Sequence, residues 1–178
     1  MVFFGYLRKL SSKFKVQETI KLTKELVDQG NNVVVLTEYV DSAKEIAQAF
    51  DVLPYIGEER KNAENILFNF ADSKSVFVGI GKMAGVGLNG LTKANYIILH
   101  DRPWNSTDVE QYLGRIHRQG QKNSVFPIWV QYGVSDDRVD EILAAKGENV
   151  EIIINGKRRK TNSLSNVAQD LLREIFNN

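Results

Sequence analysis

The chain has 178 residues, of which 43% are hydrophobic, so it can bury a core without disulfides. It contains no cysteine, which excludes a disulfide-stapled miniprotein, a cysteine-based zinc site and a thiol nucleophile. Its 23 basic and 22 acidic residues give a net charge of +1, so a nucleic-acid partner has to be argued from a local patch.

The first half of the chain predicts alternating helices and strands. Apolar positions at helical spacing predict a helix over 16–29, and Gly30 is a natural stop after it. A continuous β-branched run predicts a buried strand over 32–37, of the kind that parallel sheets cover on both faces. Asp41 is expected to cap a helix that runs to Phe50. Beyond it, the pattern predicts a short strand, a helix and a strand, over 53–56, 59–70 and 75–78.

The second half continues the alternation. Strands are predicted over 96–99 and 125–130, and a helix begins near Thr107, which has capping-box spacing with Glu110. A further helix is predicted over 135–145. This order of elements predicts an α/β fold, an open parallel sheet with helices on both faces and right-handed crossovers.

The tail of the chain differs in kind. An Asn155-Gly156 pair lies between an apolar run and a basic run, which predicts a hairpin with a tight turn. An amphipathic helix is predicted over 165–176. We therefore expect one domain over residues 1–147, followed by an accessory hairpin and C-terminal helix over 148–178.

The apolar runs of the sequence are short. None approaches the roughly 18 residues that span a bilayer. The apolar segment 2–7 has no basic segment before it and no small-residue cleavage site after it, so it does not have the pattern of a signal peptide. We expect no membrane partner and an intracellular location, cytoplasmic or, in a eukaryote, nuclear.

A glycine-rich segment follows the strand predicted over 75–78 and admits different interpretations. Residues 79–84 have the spacing Gly-x-Gly-x-x-Ala, and Asp101 follows after roughly 20 residues, as a ribose-binding acid does in dinucleotide enzymes. A second pattern of this type, Gly-x-Gly-x-x-Gly, covers residues 85–90. However, Gly85, Gly87 and Gly90 fall where that motif needs a helix, and each glycine there costs about 1 kcal/mol relative to alanine. A loop with exposed backbone N–H groups fits better, and a purely structural glycine loop is a further alternative.

The strongest chemical signal is the string Gln-Tyr-Leu-Gly-Arg-Ile-His-Arg-Gln-Gly-Gln over 111–121. On a helix, Gln111, Arg115 and Arg118 lie at i, i+4 and i+7 and project from one face. Two guanidinium groups beside an amide form an array of donors for a polyanion such as a triphosphate. For the arginines alone, the alternative is a solvated basic helix end that the helix dipole stabilises.

Four segments together resemble the C-terminal RecA-like lobe of superfamily 2 helicases, and more closely its Snf2-type branch of DNA translocases. These segments are Gly-Val-Gly-Leu-Asn (85–89), Ala-Asn-Tyr-Ile-Ile-Leu-His-Asp (94–101), Trp104-Asn105 and the string 111–121. The Trp-Asn pair placed just before Gln-x-x-Gly-Arg-x-His-Arg-x-Gly-Gln makes the resemblance specific. The resemblance covers roughly residues 6–147, and the tail from Val150 onward matches no family that we can name.

The resemblance implies a RecA-like fold and roles for single residues. Arg118 would be an arginine finger that reaches the γ-phosphate of ATP, Arg115 a second phosphate-sensing arginine, and Gln111 part of the same network. The loop that couples the nucleotide site to the nucleic-acid backbone would contain Gly85, Gly87 and Asn89. Contacts with nucleic acid would come from Thr37, Lys82, Trp104 and Asn105.

The sequence also departs from a complete motor. It has no G-x-x-x-x-G-K-[ST] P-loop and no Asp-Glu pair after a strand to hold Mg²⁺. The position before the first arginine, which is often acidic in this family, is Gly114. We therefore expect ATP and Mg²⁺ to be held mainly by a P-loop-bearing first lobe, in cis or in trans, with double-stranded DNA as a partner. By itself this polypeptide is expected to bind ATP weakly and to hydrolyse it negligibly.

Two other functions stay open on the sequence. The missing P-loop and the basic run 157–160 are compatible with a non-catalytic RecA-like module that binds nucleic acid or protein. The first glycine pattern, with Asp101, is compatible with a dinucleotide-binding enzyme. No pattern of metal ligands is visible, and a lone residue such as His100 is more often a hydrogen-bonded structural histidine.

Overall fold

The computed structural model of the chain describes residues 2–57, 62–72, 75–81, 91–103, 106–116, 124–131 and 136. Within these ranges the helices are α1 (Val2–Asp28), α2 (Val40–Gln48), α3 (Ala63–Asp72) and α4 (Ser106–Ile116). The strands are β1 (Val33–Thr37), β2 (Val76–Ile80), β3 (Tyr96–Leu99) and β4 (Phe126–Trp129). A single 3-10 turn, Leu91–Lys93, precedes β3.

The four strands form one parallel sheet in the order β2-β1-β3-β4. Val33 pairs with Val76 on one side and with Tyr96 on the other, so the strands are nearly level and their carboxyl ends meet at one edge. Every residue of β1 and β2 is buried, as a sheet covered on both faces requires. The predicted α/β parallel sheet is therefore confirmed.

The helices pack on opposite faces of the sheet. Side chains of α1 and α2, such as Val16 and Ile46, share one core with Val35 and Ile98. Side chains of α3 and α4 share the other core with β1 and β2 residues such as Val34 and Phe77. Because α2 follows β1 whereas α4 follows the neighbouring strand β3, the chain leaves these two strands in opposite directions. The boundary between β1 and β3 is thus a topological switch point.

Helix α1 is much longer than the sequence predicts. Its second half is conventional, because Val16, Ile20 and Leu26 are buried. Its first half buries polar side chains instead, so the face that packs on the sheet there is not the apolar face that helical periodicity would predict. These buried polar residues are Arg8, Ser11, Ser12 and Lys15. The predicted stop after the helix is confirmed, since Gly30 adopts φ +83° and its N–H donates to the carbonyl of Val27 at 2.9 Å.

Two local predictions between β1 and β2 are wrong. Asp41 does not cap α2, since Tyr39 occupies the N-cap position without a side-chain hydrogen bond. Asp41 lies in the first turn, where its carboxylate pairs with Lys9 of α1 at 2.9 Å. The short strand expected over 53–56 is reduced to a single bridge, in which Tyr55 pairs with Gly79 of β2.

The described residues end before the tail. The helix predicted over 135–145, the hairpin, the C-terminal helix and the domain boundary at 147 lie outside them, apart from the isolated residue Asp136. Among the helices that are described, none is long and apolar enough to cross a membrane.

Candidate functional site

The carboxyl edge of the sheet at the switch point is the natural place for a site in this fold. In open parallel α/β sheets, ligands bind outside the carboxyl ends of strands where the connections diverge. Here Glu38 and Tyr39 follow β1, and His100, Asp101 and Arg102 follow β3. The first half of α1 lies across the same edge.

A buried carboxylate closes the crevice between β1 and β3. One oxygen of Asp101 accepts hydrogen bonds from the Thr37 hydroxyl at 2.6 Å, the Ser12 hydroxyl at 3.0 Å and the Glu38 amide at 3.0 Å. Asp101 is only 5% exposed. Because its donors come from α1 and from the end of β1, this carboxylate joins three elements at one point.

A buried lysine supplies the opposite charge. The Lys15 ammonium lies 3.6 Å from the other Asp101 oxygen and 3.0 Å from the Asp136 carboxylate, and it donates to the Val130 carbonyl at 3.3 Å. The lysine side chain is 2% exposed. Ser11 also donates to Asp136, at 3.3 Å. The first half of α1 therefore binds the chain that leaves β3 and the chain that leaves β4.

His100 is a structural residue in the same network. Its Nδ1 shares a hydrogen bond with the Thr19 hydroxyl at 2.7 Å, and its Nε2 donates to the Ser12 carbonyl at 2.9 Å, so both ring nitrogens have internal partners. Burial lowers the pKa of His100 below the ordinary 6.5, and the nearby Lys15 adds to this, while Asp101 and Asp136 oppose it. The interpretation of His100 as a hydrogen-bonded structural histidine is confirmed.

The depressed pKa of His100 predicts a loss of stability in acid. As the pH falls through 6.5, His100 becomes protonated in the unfolded chain before it does so in the folded chain. The free energy of unfolding therefore falls as the pH falls. We expect urea unfolding to show a larger stability loss between about pH 7.5 and 5.5 for the wild type than for His100→Gln. An unchanged dependence in His100→Gln contradicts this assignment.

Helix α4 is attached to the edge through Tyr112. The Tyr112 side chain packs on Gly81, the first residue after β2, and its hydroxyl donates to the Glu38 carboxylate at 3.4 Å. Burial, together with the charge of Glu38, raises the pKa of Tyr112 well above its usual range, so the hydroxyl stays a donor. Tyr112 thus fixes α4 relative to the end of β1 and the start of the glycine-rich segment.

The close approach of Tyr112 requires glycine at position 81. A Cβ on Gly81 would lie 2.7 Å from the Tyr112 hydroxyl and 2.8 Å from the ring carbon that carries it. We therefore expect Gly81→Ala to lower the free energy of unfolding by about 1–3 kcal/mol. Gly114→Ala is the matched control, because nothing lies within 4 Å of its added Cβ. That change within α4 should stabilise by about 0.5–1 kcal/mol. Equal effects of the two substitutions in thermal or urea unfolding contradict the packing argument.

The structure describes three of the predicted site residues, Thr37, Gln111 and the backbone of Arg115. The helix expected from near Thr107 is confirmed as α4, which presents an exposed Gln111 and contains Arg115 one turn further on. Thr37 is at the end of β1, but it is 1% exposed and its hydroxyl is committed to Asp101. Contact of Thr37 with a phosphate stays a prediction, and it would require that hydrogen bond to open.

The other predicted site residues lie outside the described residues. These are Arg118, Lys82, Gly85, Gly87, Asn89, Trp104 and Asn105. Among the residues that are described, no group of three or more His, Asp or Glu side chains is placed to hold a metal ion.

The dinucleotide interpretation is wrong. Its acidic residue, Asp101, is buried and accepts internal hydrogen bonds, so its carboxylate is not presented to a ribose. Its first glycine, Gly79, lies inside β2 and not in the turn after a strand. Gly79 and Asp101 match the dinucleotide pattern in sequence, but in the structure one belongs to a strand and the other to an internal hydrogen-bond network.

Sequence reasoning missed the polar residues that build the edge. The sequence did not indicate that Lys15 and Ser12 are buried, because polar residues within a helix normally face solvent. Glu38 and Asp101 did carry one, since each lies one or two residues after a buried strand, where parallel sheets form their sites.

Known proteins resemble this chain in sequence and fold. The sequence profile of the family "Helicase conserved C-terminal domain" matches residues 15–120. DNA repair protein RAD5B of Arabidopsis thaliana is 33% identical over 137 residues, which are 71% of this chain and 10% of that protein. The ISWI chromatin-remodeling complex ATPase ISW2 of Saccharomyces cerevisiae is 30% identical over 85% of this chain and 14% of its own length. The chain thus spans only a small part of either relative.

A solved structure supports the fold. The SWI2/SNF2 ATPase core domain of Sulfolobus solfataricus superposes with a TM-score of 0.59 at 24% identity, over 88% of this chain and 33% of that one. The match extends over the parallel sheet with helices on both faces, and it gives the fold a RecA-like description.

Proposed function

Because the chain belongs to the family of helicase conserved C-terminal domains, as the C-terminal RecA-like lobe of a Snf2-type superfamily 2 helicase, we propose that it supplies the arginine fingers of an ATP-driven motor. The fingers are Arg118 and Arg115, with Gln111 in the same network. The observation that carries this proposal is the anchoring of α4 at the carboxyl edge by Tyr112, with Gln111 exposed and Arg115 one turn on. Helix α4 is thereby fixed at one end of the sheet.

The packing of the edge favours a nucleotide held between two lobes. The crevice between β1 and β3 is filled by the hydrogen bonds of Asp101, so that crevice leaves no space for a nucleotide. Gln111, in contrast, faces outward. ATP with Mg²⁺, bound mainly to a P-loop-bearing first lobe, would supply the phosphoryl group that is transferred. The guanidinium forks of this chain would stabilise the charge that develops on it.

We propose double-stranded DNA as the second partner. Lys82 directly follows Gly81, and Trp104 and Asn105 directly follow residue 103, so in the sequence each comes next to described residues that follow β2 or β3. Contacts from them to phosphates would position one strand without reading its sequence. Gly85, Gly87 and Asn89 would then connect this contact to the nucleotide. The names of the relatives, a DNA repair protein and a chromatin-remodeling ATPase, support a DNA partner and an intracellular location.

Reconstitution tests this function. The chain is combined with the P-loop-bearing first lobe of a Snf2-type relative, by mixing and as a covalent fusion, and phosphate release from ATP is measured with and without duplex DNA. We expect neither half to hydrolyse ATP alone and the combination to do so when DNA is present. The control is a first lobe whose P-loop lysine is replaced by alanine. ATP hydrolysis by the isolated chain at the rate of the combination contradicts the proposal.

The same experiment separates the second candidate function. The absent P-loop and the basic run 157–160 also suit a RecA-like module that binds nucleic acid or protein without catalysis. Such a module would bind duplex DNA with a strong salt dependence, because each neutralised phosphate releases counterions. It would, however, confer no ATP hydrolysis in the mixture or in the fusion.

A further inference from the structure

The first half of α1 buries its polar side chains and exposes its apolar ones, the reverse of an ordinary amphipathic helix. Its polar side chains face the sheet, as the buried Ser12 and Lys15 show. Three large side chains face outward instead: Tyr6 is 71% exposed, Leu10 42% and Phe14 56%. Because they are spaced by four residues, they form one continuous apolar stripe along the helix. A stripe of this kind is typical of a surface that packs against another segment.

Basic residues and a groove border the apolar stripe. A groove of about 410 Å³ lies between α1 and α2, lined by Tyr6 and Leu10 and by the charged residues of both helices. Lys9 and Lys13 of α1 lie next to the stripe, and Lys9 also pairs with Asp41 across the groove at 2.9 Å. Asp41 and Glu45 line the α2 side of the groove, so a segment that covers the stripe is favoured if its carboxylates lie on the α1 side, beside Lys9 and Lys13.

The chain returns to α1 shortly before its tail. Asp136 is held on α1 by Ser11 and Lys15, which lie beside the apolar stripe in the same helical turns. Residues 137–164 can extend over as much as about 90 Å, whereas the stripe from Tyr6 to Phe14 is about 12 Å long. The segment after residue 164 can therefore reach any part of the stripe.

The sequence of the last segment fits the apolar stripe. In the helix predicted over 165–176, Val167, Leu171 and Ile175 have the same spacing of four as the stripe. Rows with this spacing on two helices interdigitate in a common mode of helix packing. Asp170 and Glu174 border the apolar face of the segment, also four residues apart, and so match the row of Lys9 and Lys13.

We propose that residues 165–176 of this chain dock as an amphipathic helix on the apolar stripe of α1. A second copy of the chain offers the same surface, but the tail is tethered beside the stripe at an effective concentration of about millimolar. Docking covers Tyr6, Leu10 and Phe14 and ties residues 137–164 to the lobe at both ends. This assigns the accessory tail a binding surface that is separate from the motor function.

Disulfide trapping tests the docking. Because the chain contains no cysteine, only the introduced pair can form a disulfide within it. In the full-length chain, Leu10→Cys is combined with Leu171→Cys, and the oxidation products are identified by non-reducing electrophoresis and peptide mapping. We expect an intramolecular disulfide that forms at least about tenfold faster than in the matched pair Lys24→Cys with Leu171→Cys. Lys24 is exposed on the same helix but lies about 20 Å from Leu10 along its axis.

A second set of variants keeps the test independent of any one cysteine. Phe14→Cys with Ile175→Cys should also form the disulfide within one chain. Adding Val167→Asp to the first pair should reduce its rate to that of the Lys24 pair, because it places a charge in the apolar face. Equal rates for the Leu10 and Lys24 pairs, or disulfides that form only between chains, overturn the proposal. The latter result would assign the stripe to a second copy.

Discussion

Replacement of Arg118 by alanine is expected to lower ATP hydrolysis by the assembled two-lobe motor by about three to five orders of magnitude. An arginine finger acts on the charge that develops on the transferring phosphoryl group, so its loss raises the barrier and leaves ground-state binding nearly intact. The measurement is DNA-stimulated phosphate release by the fusion of a first lobe with this chain. Nucleotide affinity, measured separately, should change by much less than the rate.

Matched variants distinguish a finger from a general loss of charge. Arg118→Lys keeps the positive charge but loses the planar fork of donors, so we expect a rate well below that of the wild type. Lys24→Ala removes an exposed charge from α1, far from α4 in the chain, and should leave the rate unchanged. Undiminished ATP hydrolysis in Arg118→Ala would show that the finger assignment is wrong, even if the assembled protein hydrolyses ATP.

The parts of the fold that could be predicted are those with a local signal. The β-branched run of β1 predicts a strand because only a doubly covered sheet buries such a run, and all five residues are buried. Gly30 predicts a helix stop because it adopts a left-handed conformation at no steric cost. The string 111–121 predicted a helix with Gln111 on an outer face. That prediction is also local, because spacing along one element determines which side chains share a face.

The parts that could not be predicted depend on contacts between distant residues. Asp41 has the local pattern of a cap, but a lysine on α1 binds its carboxylate instead. The Asp101 carboxylate finds its donors on Ser12 and Thr37, which are 89 and 64 residues away in the sequence. The first half of α1 was missed for the same reason, because its buried side chains are polar and their partners, such as Asp101 and Val130, follow β3 and β4.

These long-range contacts also join the elements of the edge where the proposed fingers need support. Tyr112 fixes α4 on Gly81 and Glu38, while Asp101 fixes the end of β1 to α1. A change in α1 is therefore expected to act on the site through the ends of the strands. Lys15 is the residue at which this connection is most sensitive.

Replacement of Lys15 by methionine is expected to lower the free energy of unfolding by about 3–5 kcal/mol. Methionine keeps the apolar stem but removes the ammonium group, which leaves the carboxylates of Asp101 and Asp136 in a site where the lysine side chain is 2% exposed. It also removes the donor to the Val130 carbonyl. Urea unfolding followed by circular dichroism measures the loss. Lys24→Met, an exposed change on the same helix, should stay within about 0.5 kcal/mol of the wild type.

A second substitution should recover part of that loss. When Asp136→Asn is added to Lys15→Met, one carboxylate charge that has lost its lysine disappears, and we expect the double variant to be more stable than Lys15→Met alone. Asp101 is the weaker candidate for such rescue, because its carboxylate keeps the hydrogen bonds of Thr37, Ser12 and the Glu38 amide and lies 3.6 Å from the lysine, against 3.0 Å for Asp136. If Lys15→Met costs no more than Lys24→Met, the buried ion pairs do not hold α1 on the sheet edge. The support for α4 at this edge would then come from its own contacts, such as those of Tyr112 with Gly81 and Glu38.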